Sequence, residues 1–290
     1  MNARIRQILF VPPAPLVWAN HVGAFAAQEL EVETTQTLSS DQLGQGLADG
    51  SWDVGIGVMD NVIAWNSERK AGLQILCQFE RSTVMNFYAI PECRTLADVA
   101  KRVIAVDSTT NGFVLVLYRA LSRAGIDWRT CQYDPVGGVK HRFDALAAGK
   151  AVATILVPPF DDMAGASGFN HLWSGADIAP AYPGVVACAR AEWLKANEDA
   201  AVRYLRALGA ANRWAADPAN QGAARQALVA ARYSQGAAER LTRTIVPGLA
   251  PSIEGWNEVV ALRRECSLLT VPEPAAPEVI NRRLLEAAAR

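Results

Sequence analysis

Three short stretches of this chain combine polar side chains with glycine in a way suited to holding a small molecule. They are Met59-Asp60-Asn61, Ser108-Thr109-Thr110-Asn111-Gly112, and Val136-Gly137-Gly138 with Lys140, His141 and Arg142 just after it. Asp60 suits a cation or a hydroxyl, and Asn61 both donates and accepts. Asp60 is equally suited to capping the helix that Val62-Ile63-Ala64-Trp65 announces. The second stretch sits at a helix start, where free backbone N–H groups and the helix dipole favour a carboxylate or sulfonate. N-capping accounts for one of its residues rather than all. In the third stretch, Gly137 and Gly138 let a ligand approach the backbone closely. Arg142 can grip an anion through two parallel N–H groups. It can also serve as a solvated first-turn residue or pair with Asp144 or Glu80. Trp18 and Trp65 lie near these loops, as cleft walls or as core.

Other chemistries find no support. His21, His141 and His171 are the histidines, and none has a carboxylate or second histidine at metal-ligand spacing. Cys77, Cys93, Cys131, Cys188 and Cys266 form no CxxC pair, so neither a zinc site nor a redox motif is read. No Gly-x-Ser-x-Gly elbow or phosphate loop occurs. No catalytic residue, metal or cofactor is expected. For a proton-transfer enzyme, Asp60 and His21 would be the candidate groups. A net charge of −1 in 290 residues gives no electrostatic case for nucleic acid or an anionic membrane.

The elements that must position these residues are written twice. Leu47 to Val58 aligns with Leu146 to Val157: a helix end, a stopping glycine (Gly50, Gly149), then a buried strand. Each copy closes a β-α-β-α-β series. In the first, strands are expected at 4–11, 30–35 and 53–58, with helices over 15–27 and from a Ser39-Ser40-Asp41 cap to Leu47. In the second, strands are expected at 103–106, 129–133 and 152–157. Its helices run from a Thr109–Asn111 cap to Gly125, and from Gly138 to Leu146. Such alternation predicts parallel sheets covered by helices, with ligand beyond the carboxyl ends of the strands. That rule selects residues 12–15 (with Pro15), 36–41 (Ser39, Ser40), 59–61, 107–112 and 134–138, and the loop holding Pro158, Pro159 and Phe160.

The expected fold is therefore α/β, with two Rossmann-like lobes and a helical C-terminal segment. Residues 1–88 and 184–290 are assigned to lobe I and 89–183 to lobe II, with two crossings acting as a hinge. Beyond Arg190, Asn197 or Asp199 can open one helix that Asp217-Pro218 ends, and Ser252 can open another. A monomer with no membrane insertion is expected. The apolar run Ile8–Val11 is too short for a signal peptide, which predicts a cytoplasmic protein as written. A removed leader or a misplaced start would make it periplasmic.

These features resemble the class II periplasmic solute-binding proteins. Within them the chain is similar to the nitrate/sulfonate/taurine group, which includes the pyrimidine-precursor (NMT1/THI5-like) proteins. The resemblance rests on Pro15–Phe25, Leu47–Val58, Val103–Ser108 and Arg142–Gly149, in order and at family spacing. It implies a hinged, two-lobed protein that binds a small organic solute, anionic or mixed polar and aromatic, and delivers it to an ABC permease. The ligand residues it implies are Pro15, Trp18, Ser39, Ser40, Met59, Asp60, Asn61, Ser108, Thr109, Thr110, Asn111, Gly137, Gly138, Arg142, Pro159 and Phe160. The cysteine- and histidine-rich motif of the pyrimidine synthases is missing, so their chemistry is not carried over. Leaderless enzymes of similar fold supply the alternative: a cytoplasmic decarboxylase or lyase of a small carboxylic acid. A ligand sensor without a transporter is the third reading.

Overall fold

The computed structural model describes residues 2–110, 112–243, 245–269 and 275–290. The chain runs β1 (Ala3–Leu9), α1 (Ala14–His21), β2 (Leu30–Gln36), α2 (Ser40–Asp49), β3 (Val54–Gly57), α3 (Met59–Arg69) and β4 (Leu73–Gln78). β5 (Asn86–Ala89) and the short α4 (Leu96–Val99) lead into a second series. That series is β6 (Val103–Val106), α5 (Val114–Arg123), β7 (Gln132–Pro135), α6 (Val139–Ala147), β8 (Ala153–Leu156), α7 (Phe160–Ala166), β9 (Asn170–Ser174) and α8 (Gly175–Ile178). After β10 (Val186–Arg190) come α9 (Ala191–Ala196), α10 (Glu198–Ala216), α11 (Gln221–Ala230), α12 (Gln235–Arg243), α13 (Ile253–Glu265), α14 (Ala276–Val279) and α15 (Arg282–Ala289).

The strands form two five-stranded sheets of one topology, β2-β1-β3-β10-β4 and β7-β6-β8-β5-β9. In each, three strands are parallel and the fourth runs antiparallel to its neighbours. The antiparallel strands are exchanged along the chain. β5 precedes the series whose sheet it joins, and β10 returns to the first sheet after the second is complete. A division at 88/89 would fall inside β5, whose four residues all pair in the second sheet. The two crossing segments are tied together. Phe79 N–H donates to Val185 O at 2.9 Å, and Thr83 Oγ1 donates to Pro183 O at 2.8 Å.

The duplicated helix–glycine–strand unit has a local cause. Gly50 (φ 82°) and Gly149 (φ 67°) adopt the left-handed conformation that ends a helix at little cost only for glycine. Gly55 in β3 lets Leu47 of α2 pack directly on the strand, where a Cβ would run into Leu47 Cδ1. Asn197 and Ser252 flank the starts of α10 and α13 as expected, and Ser252 Oγ accepts from Gly255 N–H.

Three elements differ from the sequence expectation. The helix expected to reach Ala27 stops at His21, because Gly23 turns with φ 67° and a short 3₁₀ turn follows. The strand expected at 129–133 begins at Gln132, because Asp127 accepts from Arg129 N–H and holds 128–130 in a 3₁₀ turn. α5 starts at Val114 behind Phe113, so Thr109 and Thr110 do not cap it; Asn111 lies outside the described residues.

The helical segment covers one face of the first sheet, where Tyr204, Leu205 and Leu208 pack against Ile5, Leu9 and Val54. A second apolar cluster spans both sheets, linked through Trp256 and Val259 of α13, which packs on α3 and on α5. Among the described residues, no helix is long and apolar enough to cross a membrane. Gly55→Ala should destabilise the fold by about 1–3 kcal/mol, the usual cost of overpacking a filled core. Denaturant unfolding measures this, and an unchanged midpoint would mean that Leu47 swings aside freely.

Candidate functional site

Between the sheets lies a small cavity of about 100 Å³. One wall comes from the first sheet: Phe10 and Val11 after β1, Gly57 and Val58 at the end of β3, Asn61 in α3, and Val185 before β10. The other comes from the second: Asp107 after β6, Phe113 before α5, Gly138, Val139 and Arg142 at the start of α6, and Val157 after β8. Every wall residue of the parallel strands sits at a carboxyl end, where open α/β sheets bind ligands. Val11, Phe113, Val157 and Val185 also line an adjoining compartment of about 80 Å³ that contains Glu80 and Tyr233.

Three polar atoms on this cavity have no hydrogen-bond partner: Asn61 Oδ1, Asp107 Oδ1 and Arg142 Nε. Asn61 is 4 % exposed and Arg142 3 %. Arg142 is held by a bond from Nη1 to Ile155 O at 2.8 Å, and its guanidinium lies 5.6 Å from the Phe113 ring. Burial lowers its pKa, and the nearby Asp107 carboxylate opposes that shift. Burial raises the Asp107 pKa, Arg142 and the backbone N–H groups of Asp107 and Ser108 pull it down, and Asp60 pushes it up. Neither expected pairing of Arg142 forms, for Asp144 takes Lys140 at 2.6 Å.

Asp60 is placed differently from its neighbour. It is 0 % exposed, and its carboxylate accepts Arg263 Nη1 at 2.9 and 3.2 Å and Gly112 N–H at 2.7 Å. The cation that Asp60 suits is therefore supplied by the chain itself. Val58, not Asp60, occupies the N-cap of α3. Burial raises the Asp60 pKa, while Arg263 and the Gly112 N–H oppose the shift.

Of the residues expected at a ligand, the structure brings Asn61, Gly138 and Arg142 to the cavity wall. Gly137 (φ 92°) and Gly138 pack against Leu38, whose carbonyl accepts Gly138 N–H at 2.9 Å across the lobes. Met59, Pro15 and Trp18 are buried outside the wall, and Trp18 Nε1 donates to Ala224 O at 3.0 Å. Trp65 is also core. Ser39 caps α2 by accepting from Gln42 N–H, and Ser40 opens that helix. Ser108 Oγ accepts from Thr110 N–H at 3.2 Å, and Thr109 O accepts the Tyr118 hydroxyl at 3.0 Å. Pro159 flanks α7, and Phe160 tilts onto Phe143 at 5.7 Å. Val157, Asp107 and Phe113 stand in the wall instead. His21 packs on Trp214 at 5.6 Å, so neither proton-transfer candidate lines the cavity.

Direct contacts join the lobes around it. Arg119 of α5 binds Glu265 of α13 at 2.8 Å through two nitrogens, and also binds Glu258. Asp162 of α7 meets Ser234 and, at 3.3 Å, Arg240 of α12. A larger polar hollow of about 450 Å³ on that flank holds Asp161, Asp162, Tyr182 and Arg240; Asn86 binds Asp161 Oδ2 and Ser234 binds Asp162, while Asp161 Oδ1, Tyr182 Oη and Arg240 Nε have no hydrogen-bond partner.

Two lobes of like topology, with a cavity at the strand ends of both, define a periplasmic-binding-protein-like fold of the two-crossing kind. The chain belongs to the NMT1-like family, whose model matches residues 3–229. A solved protein from Bordetella bronchiseptica RB50 superposes with a TM-score of 0.82 at 16% identity, covering 99% of this chain and 96% of that one. The alkanesulfonate-binding protein SsuA from Xanthomonas axonopodis pv. citri, bound to MOPS, gives 0.77 at 18% identity over 96% and 98%. The periplasmic nitrate-binding protein NrtA from Synechocystis PCC 6803 gives 0.76 at 13% identity over 99% and 88%. At these identities the likeness is one of fold. A search of curated proteins by sequence gives no match.

Two expectations follow from the buried acids. Asp60→Asn should cost about 3–5 kcal/mol in urea unfolding, because it strands the buried Arg263 charge; near-wild-type stability would show that Arg263 finds water. Glu80 titrates in the opposite sense from a salt-bridged acid. Burial pushes its carboxyl from 4.5 up to about 7, against one hydrogen bond from Ala14 N–H. The folded chain thus binds the proton more tightly, so stability is full below the unfolded pKa and falls as pH rises through the folded one. Glu80→Gln should remove a decline on the order of 1–3 kcal/mol between about pH 5 and 8. Parallel pH–stability curves for the two proteins would contradict this.

Proposed function

We propose that this chain binds a small organic solute between its lobes and acts as the substrate-binding component of an ABC importer. The lobes on this reading are residues 2–78 with 186–290, and residues 86–178. The observation that carries it is a mainly apolar cavity at the strand ends of both lobes, on which three buried polar atoms are left without partners. Buried polar groups are nearly always paired, and a stranded one costs about 1–3 kcal/mol. A solute that satisfies Asn61, Asp107 and Arg142 together would recover that cost and hold the lobes shut. Closure is then a shift of population toward the liganded state. The named neighbours are an alkanesulfonate-binding protein and a periplasmic nitrate-binding protein, which supports solute binding and a periplasmic site of action. Arg142 alone would favour an anionic solute, as the sequence suggests, but Asp107 faces the same cavity.

Gly57→Val offers a direct test. A Cβ at Gly57 meets only Asn61 Nδ2, at an ordinary 3.5 Å, so the valine fits the strand while its methyl groups enter the cavity. Native mass spectrometry of protein purified from its own host should show a small molecule on the wild type and none on Gly57→Val, with similar unfolding midpoints. Equal loading of both proteins would place the solute elsewhere. Chemical conversion of the bound molecule would make the protein an enzyme.

A further inference from the structure

We propose that the solute has no net charge and presents N–H donors beside an oxygen acceptor, as an amide or an α-amino acid does, rather than a carboxylate or sulfonate alone. The inference rests on the interlobe cavity being the solute site. It comes from counting what the unpaired atoms require. Asp107 Oδ1 and Asn61 Oδ1 are acceptors and need donors. Arg142 Nε is a donor and needs an acceptor, and Arg142 Nη1 is already committed to Ile155 O. A carboxylate or sulfonate carries no donor. It would answer Arg142 and leave Asp107 unanswered.

The charges agree with this count. Arg142 and Asp107 are the cation and the anion among the lining residues. The neighbouring Asp60 is neutralised by Arg263 at 2.9 Å and adds no free charge. The wall is therefore balanced before a solute arrives. An anion would gain from Arg142 and lose to Asp107 in a cavity that is otherwise Val11, Ile56, Val58, Phe113, Val139 and Val157. A solute with donor and acceptor on one short frame meets both groups with like benefit. Turning the Asn61 amide around would exchange its oxygen for N–H, yet Asp107 would still require a donor. A volume of about 100 Å³ suits small probes that carry a polar head and a short aliphatic group.

Four probes of near-equal size separate the cases: propionamide, alanine, propionate and 1-propanesulfonate, titrated calorimetrically into ligand-free wild type, Asp107→Asn and Gly57→Val. Propionamide or alanine should bind wild type at least tenfold more tightly than either anion. Propionamide alone would mark a neutral amide. Alanine alone would mark a zwitterion, with its carboxylate on Arg142 and its ammonium on Asp107. Asp107→Asn should narrow the preference at least tenfold by admitting propionate. The proposal is overturned if an anion binds wild type as tightly as both uncharged probes, or if none of the four binds. Where that anion fails on Gly57→Val, the cavity remains the solute site and only the charge assignment falls. A probe that binds wild type and Gly57→Val alike removes the cavity as the site, and both readings fall.

Discussion

The carboxylate of Asp60 is the contact on which the geometry of the cleft depends. It receives Arg263 from α13 and the backbone N–H of Gly112 from the loop after β6, while itself standing in the first turn of α3. Three separate stretches of chain thus converge on one buried charge. Taking a carboxylate out of water costs several kcal/mol unless partners repay it, so the three stretches cannot drift apart independently. The loop fixed by Gly112 also carries Asp107, and α3 carries Asn61. The same contact that joins the lobes therefore sets the spacing of two of the three polar atoms on the cavity.

Topology supplies the remainder. Because β5 and β10 are exchanged, each sheet contains a strand delivered by the crossing segments, and the carboxyl ends of both parallel sets face one another. The Thr83–Pro183 and Phe79–Val185 bonds keep the crossings adjacent. Arg119 with Glu258 and Glu265, on the side of α13, and Asp162 with Ser234 and Arg240, on the side of α12, close the periphery. These are charged contacts, which salt weakens where they are exposed. The apolar wall and the Asp60 bridge lie nearer the axis and are less open to screening.

How legible this was in the sequence varies with the range of the interaction. Gly50, Gly149, Ser39 and Ser252 act on residues within a turn of themselves, and their roles were readable from spacing. The rule that ligands sit beyond strand ends selects stretches that supply Asn61, Asp107 and Gly138 to the cavity and one that follows Val157, whereas 12–15 and 36–41 supply none of its wall. Within those loops it favoured polar side chains, whereas the wall is built largely from the last residues of the strands and those just after them, such as Val11, Val58 and Val157. Asp107 was passed over for the polar residues beside it, of which Ser108 and Thr109 turn to local partners. The pairing of Asp60 with Arg263 spans 203 positions, and nothing local in the sequence announces it. Trp18 illustrates the same limit: its partner Ala224 is 206 positions distant.

On the proposed reading, the distribution of polar atoms between the lobes would couple binding to closure. Arg142 and Asp107 belong to the second sheet's side of the cleft, and the bond to Ile155 O holds the Arg142 guanidinium in place before any solute arrives. Asn61 belongs to the first sheet's side, on the turn anchored by Asp60. In an open molecule a solute would meet the Arg142–Asp107 pair while water served its remaining groups. Only the closed form brings the Asn61 amide and the Phe10, Val11 and Val58 wall against the same molecule. The free-energy difference between the two forms is then the contact made on the first lobe alone. A ligand shifts an equilibrium by no more than its differential affinity for the two states. On that reading, selectivity for the solute would be set mainly on one lobe, and the drive to close mainly on the other.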